Sequence, residues 1–182
     1  MPKPRRAIWT IGHSTRPIEE LIALLRGQRI EVVADVRRFP ASRKHPQYNA
    51  AAFAEALKQS GIDYAPFPQL GGRRNPRKDS HNTAWRNASF RGYADYMETP
   101  EFSSALEKLM KMSFSKRTAI LCAEAVWWRC HRALISDALK ARGFEVCHIV
   151  HAGKCEEHPY TSAAAIVGGK LSYAARQGEI GL

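Results

Sequence analysis

The chain has 182 residues, 45% of them hydrophobic, and carries a formal net charge of +11. This length fits one domain with a full hydrophobic core. No stretch approaches the roughly 20 apolar residues of a membrane span, and the N-terminus lacks the apolar segment of a signal peptide. We therefore expect a cytoplasmic protein with no membrane partner and a single domain over residues 1–182.

Charge and cysteine content narrow the classes of function further. The basic balance predicts attraction to phosphate groups, so a nucleotide or a nucleic acid is a candidate partner, and a merely solvated basic surface is the alternative. Nothing indicates export, and a chain of this length needs no disulfide staples. We therefore expect thiols that are reduced, metal-bound or catalytic at Cys122, Cys130, Cys147 and Cys155.

Apolar residues at helical spacing alternate with short apolar runs through the first half of the chain. The run at residues 31–35 is mostly apolar and predicts a central strand, which a basic loop follows. In chain order we expect a strand at residues 7–11, a helix capped by Ser14 or Thr15 and ended by Gly27, a strand at 31–35, a helix capped by Asn49 and ended by Gly61, and a strand at 63–67.

The second half begins with the least regular stretch, residues 68–89, which is rich in arginine. Long loops of this kind are more often functional than neutral. The tail after residue 150 is polar with scattered glycines, and no element is predicted there. Between the two we expect helices at 91–98 and 99–112, the second capped by Thr99, a strand at 118–122, a helix that ends at Gly143, and a strand at 145–150.

This alternation predicts an α/β fold, with a mainly parallel sheet of about five strands flanked by helices in Rossmann-like or flavodoxin-like layering. Ligands of such sheets bind outside the carboxyl ends of the strands. Polar residues follow three of the predicted strands, at residues 12–14, 35–38 and 122–124. We therefore expect these segments to meet at one edge of the sheet.

The segment from Cys122 to Arg132 carries the richest chemistry. Cys130, His131 and Arg132 open a predicted helix, and a helix N-terminus holds anions through its unpaired N–H groups and partial positive charge. The same field lowers the pKa of a thiol, so Cys130 is expected to be partly thiolate. This segment therefore predicts an anion site with a reactive cysteine.

Glu124 lies between the two cysteines and is a candidate nucleophile or general acid or base. A pocket walled by Trp127 or Trp128 would partly enclose its carboxylate. Glycosidic chemistry on a nucleoside needs such a carboxylate beside an aromatic wall.

Three other interpretations of the same residues stay open. Cys122, Cys130, His131 and Glu124 are candidate metal ligands, although the spacing Cys-x7-Cys-His departs from the short Cys-x2–4-Cys pattern of zinc sites. A thiolate loop of the phosphatase or rhodanese type would need Cys-x5-Arg, whereas Arg129 follows Cys122 only after six residues. In the structural alternative, Cys122 belongs to the core and Glu124 pairs with an arginine.

The remaining strand ends and the basic loops supply candidate substrate-binding residues. Asp35, at the end of a strand, suits a ribose hydroxyl, a metal or an arginine, and a structural ion pair is the alternative. Basic loops interleaved with aromatic residues suit single-stranded or flipped bases. The candidates are His13, Ser14, Asp35, Arg37, Arg43, Tyr64, Arg132 and His158.

Short motifs recur at these strand ends and in the tail, at residues 10–14, 35–37, 40, 42–43, 70–72, 122–124, 130–132, 148–149 and 158–161. With these motifs the chain resembles, nearly from end to end, the domain of unknown function family numbered 488. The resemblance implies a compact α/β domain and brings no established reaction. It also implies that His158 and Tyr160 fold back over the site. Residues 125–129 look different from the acidic, proline-containing linker of the family.

The working hypothesis is an enzyme, a hydrolase or transferase, that acts on a phosphate-bearing nucleotide or nucleic acid. Its candidate catalytic residues are Glu124, Cys122, Cys130 and His131, and the sequence identifies no cofactor and no definite metal ligand. The alternatives are a nucleic-acid-binding module without catalysis and a metal-binding or redox protein that uses Cys122, Cys130 and His131.

Overall fold

The computed structural model describes residues 6–175. Within them, helices pack on a six-stranded sheet, and a two-stranded hairpin is separate from it. The strands are β1 (Ala7–Gly12), β2 (Val32–Asp35), β3 (Asp63–Pro66), β4 (Thr118–Cys122), β5 (Glu145–His151), β6 (Lys154–Glu157), β7 (Ala165–Val167) and β8 (Lys170–Ser172). The helices are α1 (Ile18–Gly27), α2 (Ala50–Gln59), α3 (Ala88–Tyr96), α4 (Pro100–Ser115) and α5 (Arg132–Lys140). None of these helices combines the length and apolarity needed to cross a membrane.

The strand order of the main sheet is β3-β2-β4-β1-β5-β6. The first five strands are parallel and β6 runs antiparallel to β5. This arrangement confirms the predicted α/β class and the mainly parallel sheet. The sixth strand was not predicted, because residues 154–157 form a polar, partly exposed edge strand without apolar alternation.

Helices cover both faces of the sheet, and each face has its own core. On one face, Leu21 of α1 and Phe53 of α2 are fully buried against Val33 of the sheet. On the other face, Leu106 of α4 and Leu134 of α5 are fully buried in a second cluster. Burying each such side chain contributes about 1.5–3 kcal/mol, so the two layers hold the strand ends at fixed positions.

The predicted N-caps of two helices are not formed. Helix α1 has Pro17 as its N-cap, and Ser14 instead lies in the turn after β1 with φ 47°. Asn49 precedes α2, but its Oδ1 accepts a hydrogen bond from the N–H of Ser42 at 2.6 Å and does not cap the helix. At α4 the prediction is confirmed, since the hydroxyl of Thr99 accepts from the N–H of Phe102 at 3.3 Å.

The described part of the tail, residues 151–175, is held by strand pairing and by a disulfide. The antiparallel pairing of β5 with β6 brings Cys147 and Cys155 to a Cα separation of 5.8 Å, and the two residues are bonded to each other. For this pair the expectation of reduced thiols was wrong, because the pairing was not visible in the local pattern. Cys122 and Cys130 are free, as expected, and both are buried.

Candidate functional site

A cleft of about 430 Å³ opens at the carboxyl ends of β2 and β4. The segment between β4 and α5 forms one wall, and the loop after β2 forms another. Residues 72–73 and the start of α3 complete the lining. The cleft therefore lies where the strand-end rule for parallel sheets places a ligand. Among its lining residues are Arg37, Arg38, Phe39, Arg73, Phe90, Glu124 and Arg129, with Cys122, Cys130 and His131.

Backbone hydrogen bonds join the ends of β1 and β4 beneath this cleft. The N–H of His13 donates to the carbonyl of Cys122 at 3.0 Å, and the N–H of Ser14 donates to that of Ala123 at 2.8 Å. Gly12 makes this approach feasible, since a Cβ there would lie 1.8 Å from the carbonyl oxygen of Glu124. A side chain at position 12 would therefore push the two strand ends apart.

Cys122, Cys130 and His131 form a compact cluster in the cleft. Nδ1 of His131 lies 3.6 Å from Sγ of Cys130 and 3.9 Å from Sγ of Cys122. Nε2 of His131 is 3.2 Å from the carbonyl oxygen of Val36, which can only accept a hydrogen bond. Nε2 therefore carries a proton, and Nδ1 faces the two sulfurs.

The two thiols of this cluster differ in acidity. The hydrogen bond with Cys130, together with burial, raises the pKa of Cys122 well above its usual range. Burial opposes ionisation of Cys130 as well, but the hydrogen bond from Cys122 and the nearby His131 and Arg132 bring its pKa well below the usual range. If one cysteine of the pair is ionised, it is Cys130.

Glu124 lines the cleft with an exposed side chain. No arginine, lysine or histidine nitrogen of residues 6–175 lies within 4.0 Å of its carboxylate, so the arginine pairing considered as an alternative is not formed there. Trp127 and Trp128 are not among the residues that line the cleft. Phe39 and Phe90 supply its aromatic surface instead.

Arg132 is buried at the start of α5 and holds the segment after β4 in place. Its guanidinium donates to the carbonyl of Glu124 at 2.6 Å, to that of Ala125 at 3.3 Å and to the hydroxyl of Thr10 at 3.2 Å. The side chain is 1% exposed and does not line the cleft. Arg132 therefore positions the backbone of Glu124. A direct contact between Arg132 and an anionic ligand stays a prediction.

A chain of buried hydrogen bonds continues from Thr10 away from the cleft. The Thr10 hydroxyl lies 2.7 Å from Nδ1 of His148, Nε2 of His148 lies 2.9 Å from Nδ1 of His158, and Nε2 of His158 lies 2.9 Å from Asp137. Burial lowers the pKa of His148 to about 2. His158 is fully buried here, so it does not fold over the cleft as the resemblance implied. Tyr160 lies near Lys140 instead.

Asp35 and Arg37 form a buried ion pair at the end of β2. Two nitrogens of the Arg37 guanidinium lie 2.9 and 2.6 Å from the two carboxylate oxygens of Asp35, and the hydroxyl of Tyr64 donates to the same carboxylate at 2.8 Å. Arg37 also contacts Nε2 of His13 at 3.3 Å, and His13 stacks on Tyr48. Burial lowers the pKa of His13 to about 4. These contacts occupy the polar atoms of Asp35. They agree with the alternative in which Asp35 forms a structural ion pair.

The rim of the cleft is basic. Arg38, Arg73 and Arg129 are exposed there, and none has a carboxylate within 4.0 Å among the described residues. Arg73 holds φ 61°, and its carbonyl accepts from Arg38 at 3.2 Å. A non-glycine residue in this left-handed region costs about 1–2 kcal/mol, so the loop is held in a strained shape at the cleft.

Several lining residues were not among the predicted site residues, and some predicted ones lie elsewhere. Arg38, Phe39, Arg73, Phe90 and Arg129 belong to the lining, and their signal was the interleaving of arginines and aromatics in the loops. Ser14 lies in the turn after β1, Tyr64 contacts Asp35 from β3, and Arg43 is exposed on the loop before α2.

A family model described as "Domain of unknown function DUF488" matches residues 17–139. This range includes β2, β4, the start of α5 and all the cleft residues named above. It leaves out the motifs at residues 10–14, 148–149 and 158–161, so the match is shorter than the resemblance predicted. No curated protein and no solved structure matches the chain.

Proposed function

Since the chain belongs to the DUF488 family, a domain of unknown function, we propose a function from the properties of the cleft. The cleft binds a nucleotide, either free or within a single-stranded nucleic acid. The protein is an enzyme that acts on this nucleotide. The observation that carries the proposal is the convergence of three exposed arginines on a cleft with aromatic walls, none of them paired with a carboxylate within residues 6–175; these are Arg38, Arg73 and Arg129.

The charge arrangement favours an anionic ligand. Each guanidinium offers several donors in a planar fork that matches phosphate oxygens, and none of the three is neutralised by a neighbouring carboxylate in the described part of the chain. The formal net charge of +11 adds a long-range attraction. Phosphate is the common biological anion that fits a triple-arginine rim.

The aromatic residues and the volume favour a ligand with a planar ring. Phe39 is 65% exposed, and the guanidinium of Arg38 lies 5.3 Å from its ring centroid. Phe90 lines the same cleft. Bases stack on such exposed rings with about 1–3 kcal/mol per base. The volume of about 430 Å³ falls in the usual range for small-molecule sites.

Glu124 is the group best placed for acid–base chemistry in this cleft. Its carboxylate is exposed to the cleft, and its backbone is held by Arg132 at 2.6 Å. A general acid or base needs such a fixed backbone and a side chain that reaches the ligand. We assign Glu124 the proton transfer in a hydrolysis or group transfer at the bound nucleotide.

Binding is tested with a fluorescent single-stranded oligodeoxythymidine over a series of salt concentrations. We expect the triple variant Arg38→Ala, Arg73→Ala, Arg129→Ala to bind at least about tenfold more weakly and to flatten the slope of log K against log salt by about 2, or about 0.7 per lost phosphate contact. The matched control, Lys58→Ala, Lys108→Ala, Lys111→Ala, removes the same charge from exposed helix positions outside this cleft. Equal weakening in both variants would refute the cleft as the binding site.

Catalysis is tested by incubating the protein with a panel of nucleotides and oligonucleotides and separating the products by chromatography. We expect turnover by the wild type and a loss of about 10²–10⁴-fold in Glu124→Gln, with binding retained. Turnover that survives Glu124→Gln would remove this residue from the mechanism. Binding without any turnover would favour the non-catalytic nucleic-acid-binding module.

A further inference from the structure

We propose that Cys122, Cys130 and His131 bind one zinc ion, with a fourth coordination position open to the cleft. The three ligand atoms, the two Sγ atoms and Nδ1 of His131, all lie within 4.8 Å of one another. Metal binding is a property of the cluster itself, so this proposal goes beyond the proposed nucleotide function and can be tested without any substrate.

The distances fit tetrahedral zinc. With Zn–S near 2.3 Å and Zn–N near 2.0–2.1 Å, a tetrahedral angle separates sulfur from nitrogen by about 3.5 Å. The observed separations are 3.6 Å for Cys130 and 3.9 Å for Cys122. Both sulfur–nitrogen separations therefore lie within about 0.4 Å of the tetrahedral value.

The surroundings orient each donor atom as in a metal site. Nε2 of His131 donates to the carbonyl of Val36 at 3.2 Å, so Nδ1, which faces the sulfurs, is the nitrogen available to an ion. Metal-bound histidines commonly use their second nitrogen in this way. The sulfur of Cys130 also accepts a backbone hydrogen bond, from the N–H of Arg132 at 3.5 Å.

The position of the cluster explains why the standard zinc spacing is missing from the sequence. Cys122 comes from the end of β4, while Cys130 and His131 directly precede α5, so the folded segment between them brings the ligands together. Both cysteines are buried, and Gly72 packs so close that a Cβ there would lie 2.8 Å from Nδ1 of His131. The sheet and α5 therefore hold the donors before any ion arrives.

The donor set favours zinc and leaves one position open. Two thiolates and one imidazole select a borderline-soft ion over magnesium or calcium. Zinc sites with three protein ligands keep the fourth position for water or substrate, whereas structural sites use four protein ligands. All three ligands line the cleft, and Glu124 lines it too, two residues after Cys122. A carboxylate at such a place can take the proton of a zinc-bound water.

The test measures the metal in full-length protein purified without a metal-affinity step. We expect about one zinc per chain by elemental analysis. After chelation, titration with cobalt should give the visible bands of tetrahedral cobalt and a thiolate-to-cobalt charge-transfer band that saturate at one equivalent. His131→Gln and Cys130→Ser should lose these signals, while the double variant Cys147→Ser, Cys155→Ser should keep them, because its cysteines lie outside the cluster.

Circular dichroism of each sample separates loss of the site from loss of the fold. The chelated wild type provides the second measurement if a variant fails to fold, because its ligands are intact. Folded wild type that lacks zinc as purified and takes up no cobalt would overturn the proposal. So would cobalt spectra unchanged in folded His131→Gln. Neither result would affect oligonucleotide binding by the arginine rim, so failure here is distinct from failure of the proposed function.

Discussion

His158 and Asp137 form a fully buried pair, with Nε2 of the imidazole 2.9 Å from Oδ1 of the carboxylate. The same carboxylate accepts hydrogen bonds from the N–H and hydroxyl of Thr161 at 2.9 and 2.6 Å and from the hydroxyl of Tyr173 at 2.9 Å. Asp137 thus fastens the tail to α5. Through His148 and Thr10 the network reaches Arg132, which positions the segment lining the cleft.

Removing this carboxylate should destabilise the whole fold. In Asp137→Ala the buried donors of His158 and Tyr173 lose their acceptor, and breaking a buried charged network costs about 3–5 kcal/mol. Urea denaturation measures the free energy of unfolding. Asp79→Ala is the control, because Asp79 is 89% exposed and its loss should change stability by less than about 0.5 kcal/mol. Equal stability of the two variants would contradict the role assigned to Asp137.

Stability should fall as the pH drops from 7 to 5. The pKa of His13 is about 4 in the folded protein, beside Arg37, Asp35 and His45, and that of His148 is about 2, beside His158 and Arg132. Both lie below the unfolded value of about 6.5, so the unfolded chain binds more protons below that pH. For His13 alone the loss between pH 7 and pH 5 is about 2 kcal/mol, with no effect at higher pH.

Urea denaturation at the two pH values checks this sign. His13→Gln should lose less stability than the wild type between pH 7 and pH 5, because it lacks one of the two depressed histidines. His151→Gln should behave as the wild type does, since His151 is exposed. A wild-type stability that rises on acidification would contradict the lowered pKa values of these two histidines.

Two glycine substitutions should have opposite effects on stability. In Gly12→Ala the new Cβ would lie 1.8 Å from the carbonyl oxygen of Glu124, which is backbone and cannot rotate away. Overpacking of this kind costs about 3 kcal/mol or more. In Gly27→Ala nothing lies within 4 Å, and alanine is favoured in a helix by about 0.5–1 kcal/mol.

Thermal denaturation of the two glycine variants gives the comparison. Gly12→Ala should also weaken oligonucleotide binding, because the displaced Glu124 backbone belongs to the cleft wall. A fully stable Gly12→Ala would mean that β1 and β4 separate at this end without cost.

The alternation of elements and the edge of the sheet that holds the cleft could be predicted from the sequence. Apolar periodicity reports which face of an element is buried, and parallel strands end at one edge of the sheet whatever their order. This is why residues 35–38 and 122–124 were expected to meet, and the structure brings both into one cleft. Cys130 and His131 were likewise identified from their place at the start of a helix.

The contacts between distant segments were decided only by the tertiary structure. From the local sequence, Asp137 is only a polar residue of a helix. Its hydrogen-bond partners lie 21 to 36 residues later, in the tail. Contacts between distant segments also produce the pairing of β5 with β6 and the Cys147–Cys155 bond. They likewise place Phe39 and Phe90, and not Trp127, in the cleft wall. Local periodicity records burial within one element, whereas these contacts depend on which elements become neighbours.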